Sequence, residues 1–189
     1  KGIVSGTTTI TKDPVQLKIA SLAAQAIECS GLLKNGFSFQ TGAGGASLAV
    51  AEYIREMMKE QNITGSFALG GITGYLVQML EEGLFKNLLD VQGFDLEAVR
   101  SLRDNPNHIE IGAGMYANPF NSGCVVNQLD CVVLGATEMD TSFNVNVTTS
   151  SNGLIMGGSG GHSDTAAGAK LTIVTANLLR SRLPIIRDD

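Results

Sequence analysis

Phe37-Ser-Phe-Gln-Thr41, Gly42-Ala-Gly-Gly45 and the residues from Ala46 to Gln61 form the stretch that decides the fold. The first segment is rich in aromatic and β-branched side chains, which favours a strand, and three glycines in the next four residues break it. After the glycines, apolar side chains recur on one face of a helix: Leu48, Ala51, Ile54 and Met58. The stretch therefore predicts a strand, a glycine turn and a helix that packs on a sheet.

The glycine turn at residues 42–45 predicts a place where a ligand approaches the backbone closely. Its glycines lack side chains, and the first turn of the next helix has free N–H groups at the positive end of the helix dipole. Such groups stabilise a phosphate or an acyl oxygen that gains negative charge. A purely structural tight turn is the alternative. The segment is not a dinucleotide-binding fingerprint, because Ser47 stands where the third glycine is required.

The rest of the chain repeats this alternation. We expect further strands at residues 65–69, 88–91, 108–111, 131–134, 154–156 and 171–174. We expect helices from Asp13-Pro14 to Gly31, at residues 75–82, and from the N-cap Asp95 to residue 102. The first helix is expected to bury one apolar face: Val15, Ile19, Leu22, Ala23, Ala26 and Ile27. Continuous apolar strands are typical of parallel sheets, so we predict an α/β fold with a mostly parallel sheet in a three-layer α/β/α arrangement, as a single domain over residues 1–189.

Four of the predicted strands end in glycine, and ligands of parallel sheets bind beyond the carboxyl ends of the strands. We expect backbone N–H groups there to line a binding site: Gly42, Ala43, Gly44, Gly45, Gly70, Gly71, Gly74, Gly157, Gly158, Gly160 and Gly161. Glu138, Asp140 and Asp164 follow predicted strands or lie in a glycine loop, where a carboxylate acts as a base, orients a substrate or caps a turn. Asn144 and Asn146 are candidate donors to a carboxylate or thioester oxygen.

Gly157-Gly-Ser-Gly-Gly161 has the letters of a serine hydrolase nucleophile turn. The histidine that follows it, His162, lies three residues from Ser159 and cannot serve as the separately placed base of that fold. We therefore expect Ser159 not to be a nucleophile and His162 to be a polar loop residue. The sequence has no phosphate-binding G-x-x-x-x-G-K-[ST] motif, which excludes that class of nucleotide hydrolase.

The composition excludes further classes of function. The net charge of −5 gives no electrostatic support for binding nucleic acid or an anionic membrane, and the long uncharged runs are too polar to span a bilayer. The three cysteines and two histidines do not form a closed zinc site, so we expect no metal and a reducing, cytoplasmic compartment. The chain begins at Lys1 without methionine, and we expect it to be a piece of a longer or processed protein.

Three blocks of the sequence resemble the coenzyme A transferase superfamily: residues 37–47, residues 134–140 and residues 157–170. Within it, nearly the whole chain resembles the citrate:acyl-carrier-protein transferase subunits. The resemblance implies two similar α/β lobes, of which this chain is the second. It implies transfer of a thioester from acetate to citrate on the phosphopantetheine arm of an acyl carrier protein, which resembles coenzyme A, with no cofactor bound directly. A separate beta subunit would then cleave the citryl group.

Many superfamily members form an enzyme thioester on a glutamate in a Glu-Asn-Gly turn, whereas the corresponding residues here, Gly70 to Gly74, include no carboxylate. We therefore predict direct attack of a citrate carboxylate on the acetyl thioester, through a mixed anhydride. Glu138 and Asp140 would orient the substrate or the donors. Two alternatives stay open: a non-catalytic lobe that docks the carrier protein, and a transferase that uses free coenzyme A and a monocarboxylate.

Overall fold

The structure is a computed structural model and describes residues 8–150 and 153–178. Its strands are β1 (Ser38–Thr41), β2 (Gly65–Ile72), β3 (Phe85–Gly93), β4 (His108–Glu110), β5 (Cys131–Gly135), β6 (Glu138–Met139), β7 (Val145–Asn146) and β8 (Leu171–Thr175). Its helices are α1 (Pro14–Cys29), α2 (Gly45–Glu60), α3 (Gly74–Glu81), α4 (Leu96–Asp104), α5 (Ala113–Tyr116) and α6 (His162–Gly168), and a 3-10 helix spans Val125–Gln128. The predicted domain at 1–189 extends at both ends beyond the described residues and stays a prediction.

Six of the strands form one parallel sheet in the order β4-β3-β2-β1-β5-β8. From β1 the chain adds strands in one direction, through α2, α3 and α4, as far as β4. It then returns and places β5 on the other side of β1. The strand order therefore reverses between β1 and β5, which is where open α/β sheets form a crevice beyond the carboxyl ends of their strands. The predicted α/β class with a parallel sheet is confirmed.

Apolar side chains cover both faces of the sheet. The larger cluster includes Ile27 of α1, Ile54 of α2 and Leu76 of α3. The smaller cluster lies against α5 and the 3-10 helix, and α6 packs beside that helix and β5. Successive residues of β5 point to opposite faces: Val132 belongs to the smaller cluster and Val133 to the larger one. The sheet is therefore the middle of three layers, as predicted.

The start of α1 matches its prediction, but its buried face does not. The Asp13 carboxylate accepts a hydrogen bond from the backbone N–H of Val15, and Pro14 occupies the first turn. The buried residues are Ala20, Ala23, Ala24 and Ile27. Val15, Leu22 and Ala26, which we expected to be buried, are exposed. Small side chains let α1 lie close to α2, so the largest apolar residues do not define the packed face.

Two predicted segments near the carboxyl edge of the sheet differ in the structure. We predicted that the second strand ends at residue 69, but β2 continues through Gly70 and Gly71, and its register with β3 shifts between these two glycines. Such a bulge bends a strand without ending its pairing. Residues 154–156, predicted as a strand, contribute only an isolated antiparallel bridge between Ile155 and Thr149, and their side chains are exposed. An apolar run forms a sheet strand only when neighbouring elements bury it.

In the part of the chain that the structure describes, no helix combines the length and the apolar character that a membrane span requires.

Candidate active site

The crevice expected from the strand order lies beyond β1, β2 and β5 and has a volume of about 580 Å³. It is lined by residues from separate parts of the chain: Gln40, Thr41, Gly42, Ala43, Gly71, Val91, Gln92, Phe94, Ala113, Tyr116, Ala117, Leu134, Gly158, Ser159, Gly160, Gly161, His162 and Asp164. The structure thus brings together the predicted glycine segments at residues 42–43, 71 and 158–161. A crevice of this size is in the range of small-molecule sites.

Close packing around the crevice requires two of its glycines. A Cβ atom added to Gly71 would lie 1.8 Å from Cε2 of Phe94, and one added to Gly161 would lie 2.4 Å from Cε1 of Tyr116. Both distances are far below a normal contact between carbon atoms. The aromatic rings therefore occupy the space that side chains would fill, and the backbone itself forms the wall at these points.

Gln40 and Tyr116 form a buried polar pair in the wall of the crevice. The side-chain amide of Gln40 donates from Nε2 to the Tyr116 hydroxyl over 2.7 Å, and both residues are at least nine-tenths buried. Burial raises the pKa of Tyr116 above its ordinary value, so its hydroxyl stays protonated at neutral pH. The sequence analysis missed both residues. The available signal was a glutamine inside a strand of aromatic and β-branched residues, where an amide needs a partner.

His162 and Asp164 bring titratable groups to the crevice. The imidazole Nε2 of His162 lies 3.0 Å from the backbone carbonyl of Gly135, which assigns the proton of a neutral ring to Nε2 and leaves Nδ1 as an acceptor. His162, which we predicted as a loop residue, is the first residue of α6. The described residues that line the crevice include the carboxylate of Asp164 but neither a lysine nor an arginine. Within this described lining, the groups that could stabilise a negative charge on a ligand are therefore mainly neutral donors.

Gly44 and Gly45 line a second, smaller hollow of about 210 Å³ rather than the main crevice. They share it with residues 135–137 at the end of β5 and with residues 175–177 at the end of β8. No side chain in the described residues caps the first turn of α2 in this hollow. The Thr41 hydroxyl donates to the backbone carbonyl of Ser47 over 2.9 Å, which ties the end of β1 to the start of α2. The two hollows thus meet at the glycine turn.

Several predicted donors are used within the fold. The N–H of Gly42 donates to the carbonyl of Val133 over 3.1 Å, which extends the pairing of β1 with β5. The N–H of Gly74 donates to the Asp95 carboxylate over 2.7 Å, and Gly74 lies in a separate pocket beside α4. These two N–H groups are therefore not free to bind a substrate, contrary to the prediction. Gly70 lies against the Gln40 side chain, and Gly157 is not among the residues that line the crevice.

The predicted polar residues of the segment after β5 stabilise a hairpin formed by β6 and β7. The Asp140 carboxylate accepts hydrogen bonds from Ser142 N–H and from the backbone and side chain of Asn144, and the Asn144 amide lowers the pKa of Asp140. Asn146 donates from Nδ2 to Glu138 over 2.7 Å. None of these four side chains lines the crevice. The interpretation of Asp140 as a turn cap is the one that the structure favours, and the catalytic role of Glu138 and Asp140 stays a prediction.

Comparison with known proteins identifies relatives over the whole chain. The family model for the citrate lyase alpha subunit matches residues 1–189. The citrate lyase alpha chain of Klebsiella pneumoniae is 53% identical over 184 residues, which cover 97% of this chain and 36% of that protein. The Escherichia coli protein of the same name is 51% identical and is covered to 37%. A crystal structure of a citrate lyase alpha subunit from Streptococcus mutans, in complex with citrate, superimposes with a TM-score of 0.88 at 54% identity, covering 93% of this chain and 34% of that one. The chain spans about a third of the length of these relatives.

Proposed function

Because the chain belongs to the citrate lyase alpha subunit family, we propose that it contributes an active-site lobe to a transferase that exchanges acetate for citrate on the thioester of an acyl carrier protein. The observation that carries this proposal is the gathering of glycine backbone from residues 42–43, 71 and 158–161 around one crevice. The Streptococcus mutans relative was crystallised with citrate, which supports a tricarboxylate as one substrate.

The proposed reaction has two balanced steps. An oxygen of a citrate carboxylate attacks the acetyl carbonyl, the carbon–sulfur bond breaks, and a mixed anhydride and the carrier thiolate form. The thiolate then attacks the citryl carbonyl of the anhydride, which releases acetate and leaves citrate as the thioester. Each step builds negative charge on a carbonyl oxygen, and N–H donors aimed at such an oxygen are worth about 3 kcal/mol each in comparable sites. No proton has to be transferred, so neutral donors suffice.

The scarcity of carboxylates in the described lining of the crevice supports the direct route. Residues 70–74, where related transferases have a nucleophilic glutamate, contain none, and Asp164 is the one acidic residue among the described residues of the lining. Asp164 follows the glycine loop and lies in the first turn of α6. We assign it an orienting role. Glu138 and Asp140 keep their proposed role of orienting substrate through the hairpin that they stabilise.

The relatives are almost three times as long as this chain, so the whole site is proposed to include parts of a longer protein. We propose that this chain forms the second of two α/β lobes, that the phosphopantetheine arm of the carrier protein brings the thioester, and that a beta subunit cleaves the citryl product. The three cysteines are free thiols, which supports the proposed cytoplasmic location.

Trapping tests the direct route in the complete protein. Incubation with acetylated carrier protein and borohydride should leave every aspartate and glutamate of the transferase unmodified in peptide mass maps, because no enzyme thioester or anhydride forms. A transferase with the Glu-Asn-Gly turn, treated in parallel, should show its reduced glutamate. Reduction of Asp164 or of any glutamate in the present protein would disprove the route without disproving the transfer itself. Absence of exchange between acetate and citrate on the carrier would disprove the proposed function.

A further inference from the structure

We propose that Gln40 is a specificity-determining residue, whose side-chain oxygen accepts a hydrogen bond from the hydroxyl group of citrate. This inference rests on the proposed function for the identity of the substrate. Oε1 of Gln40 is buried and has no hydrogen-bond partner among residues 8–150 and 153–178. A buried amide oxygen without a donor costs about 1–3 kcal/mol, so its presence at the wall of a crevice requires an explanation.

The surroundings of Gln40 hold its side chain against β2 and α5. Nε2 is used by the Tyr116 hydroxyl, at 2.7 Å. On another side the backbone of Gly70 is so close that an added Cβ would lie 3.0 Å from Cδ of Gln40. Gly70 has a φ of +100°, which glycine adopts at little cost, and the bulge in β2 follows it directly. The bulge and the glycine together make room for the amide beside β2.

The position of Gln40 places this amide at the point where the sheet changes direction. It lies on β1, in register with Val132 of β5, one residue before the end of the strand. It is also one of the residues that line the 580 Å³ crevice. Gly70 and Tyr116 cover the amide on two sides, and we therefore place the missing donor on a ligand in the crevice.

The chemistry of the free atom selects the group that it binds. Because Nε2 already donates to Tyr116, the atom of the amide that lacks a partner is the oxygen, and a carbonyl oxygen repels carboxylate oxygens. Citrate has three carboxylates, which are ionised near neutral pH, and one hydroxyl, so the hydroxyl is its one strong hydrogen-bond donor. Gln40 therefore distinguishes citrate from a tricarboxylate of the same shape that lacks the hydroxyl. Tyr116 is a positioning residue, because it holds the amide.

The experiment compares citrate with tricarballylate, which lacks only the hydroxyl, in the complete protein. Calorimetry gives the dissociation constant of each ligand, and the transfer assay with acetylated carrier protein gives kcat/KM. In the wild type, citrate should be preferred by roughly 10-fold to 100-fold in both measurements. In Gln40→Met the preference should fall to near unity through loss of citrate binding, while tricarballylate binding stays within about twofold. Tyr116→Phe should reduce the preference partly.

Gln25→Met is the matched control, because Gln25 is exposed on α1 and lies outside the lining of the crevice. It should keep the citrate preference. An unchanged preference for citrate in Gln40→Met overturns the inference. The donor to the Gln40 oxygen would then be a structural water. Equal loss of both ligands, or a wild type that does not discriminate between them, also overturns it. Calorimetry needs no turnover, so a protein that prefers citrate through Gln40 but does not transfer acyl groups would contradict the proposed function alone.

Discussion

Replacing Gly161 with alanine tests whether the backbone of the glycine loop really forms the crevice wall. Gly161 has φ −83° and ψ 13°, which alanine adopts without strain, so the change acts only through its added methyl group. That methyl would lie 2.4 Å from Cε1 of Tyr116, whereas carbon atoms in contact are normally about 3.5–4.0 Å apart. The Tyr116 ring cannot move away freely, because it is buried and its hydroxyl is hydrogen-bonded to Gln40.

We expect Gly161→Ala to lower the free energy of unfolding by about 1–3 kcal/mol, the range observed for overpacked cores. Urea unfolding of the complete protein, followed by circular dichroism, measures the shift of the midpoint. Gly158→Ala is the matched control for stability: it lies in the same loop, and a Cβ there meets no atom within 4 Å. Its unfolding free energy should change by no more than about 0.5 kcal/mol.

A double-mutant cycle with Tyr116→Ala identifies the cause of the loss. Without the ring, the methyl group added at position 161 has space, so the cost of Gly161→Ala should fall to near zero in that background. Equal stability of Gly161→Ala and Gly158→Ala would refute the geometry of the loop. A cost that stays the same without the Tyr116 ring would show that the loss has another origin.

Two further predictions concern stability. Arg55 donates to Glu82 over 2.7 Å from Nε and also pairs with Glu52, and hydrogen bonding to Arg55 lowers the pKa of Glu82 from 4.5 to about 2. Glu82→Gln should therefore lose about 1 kcal/mol at pH 7. Its difference from the wild type should shrink as the pH falls below 4.5 and through about 2, where the carboxylate is half protonated. A difference of undiminished size at pH 2 in urea titrations would contradict this. The buried His108 joins Asp90, at 3.2 Å, to Ser101, at 2.9 Å. His108→Ala should lower the free energy of unfolding by about 3 kcal/mol, because the Asp90 carboxylate stays buried without that partner. Adding Asp90→Asn should recover part of this loss. Additive losses of the two substitutions in thermal unfolding would show that the contact does not stabilise the fold.

The parts of the fold that depend on neighbouring residues were predictable. Asp13 and Pro14 set the start of α1, and the apolar run at residues 131–134 gave β5, because caps and strand propensity act over a few residues. Residues 154–156 show the limit of that approach. Their apolar character matches that of β5, but no element of the fold covers them. Burial on both faces depends on the whole topology, which a run of three apolar letters does not contain.

The candidate site was predictable in its backbone but not in its side chains. Strand ends in a parallel sheet converge for topological reasons, so glycine positions at the ends of β1 and β2 were sufficient to find the crevice. The contact between Gln40 and Tyr116 joins residues 76 positions apart, and no local pattern encodes it. Glu138 and Asp140 do not line the crevice, because the chain between β5 and α6 forms a hairpin in which their side chains accept hydrogen bonds.

The lack of cations in the described lining of the crevice matters for the proposed chemistry. A lysine or arginine on the attacking carboxylate would stabilise the reactant, and binding energy spent on the ground state does not accelerate the reaction. Neutral N–H and O–H donors add no net charge, so they stabilise negative charge mainly where they point, which is useful when that charge develops on a carbonyl oxygen during the reaction. The carboxylate of Asp164 further disfavours a tightly held anion in the ground state. In the proposed mechanism, a crevice lined by glycine backbone would therefore keep a citrate carboxylate nucleophilic, which transfer without an enzyme nucleophile requires.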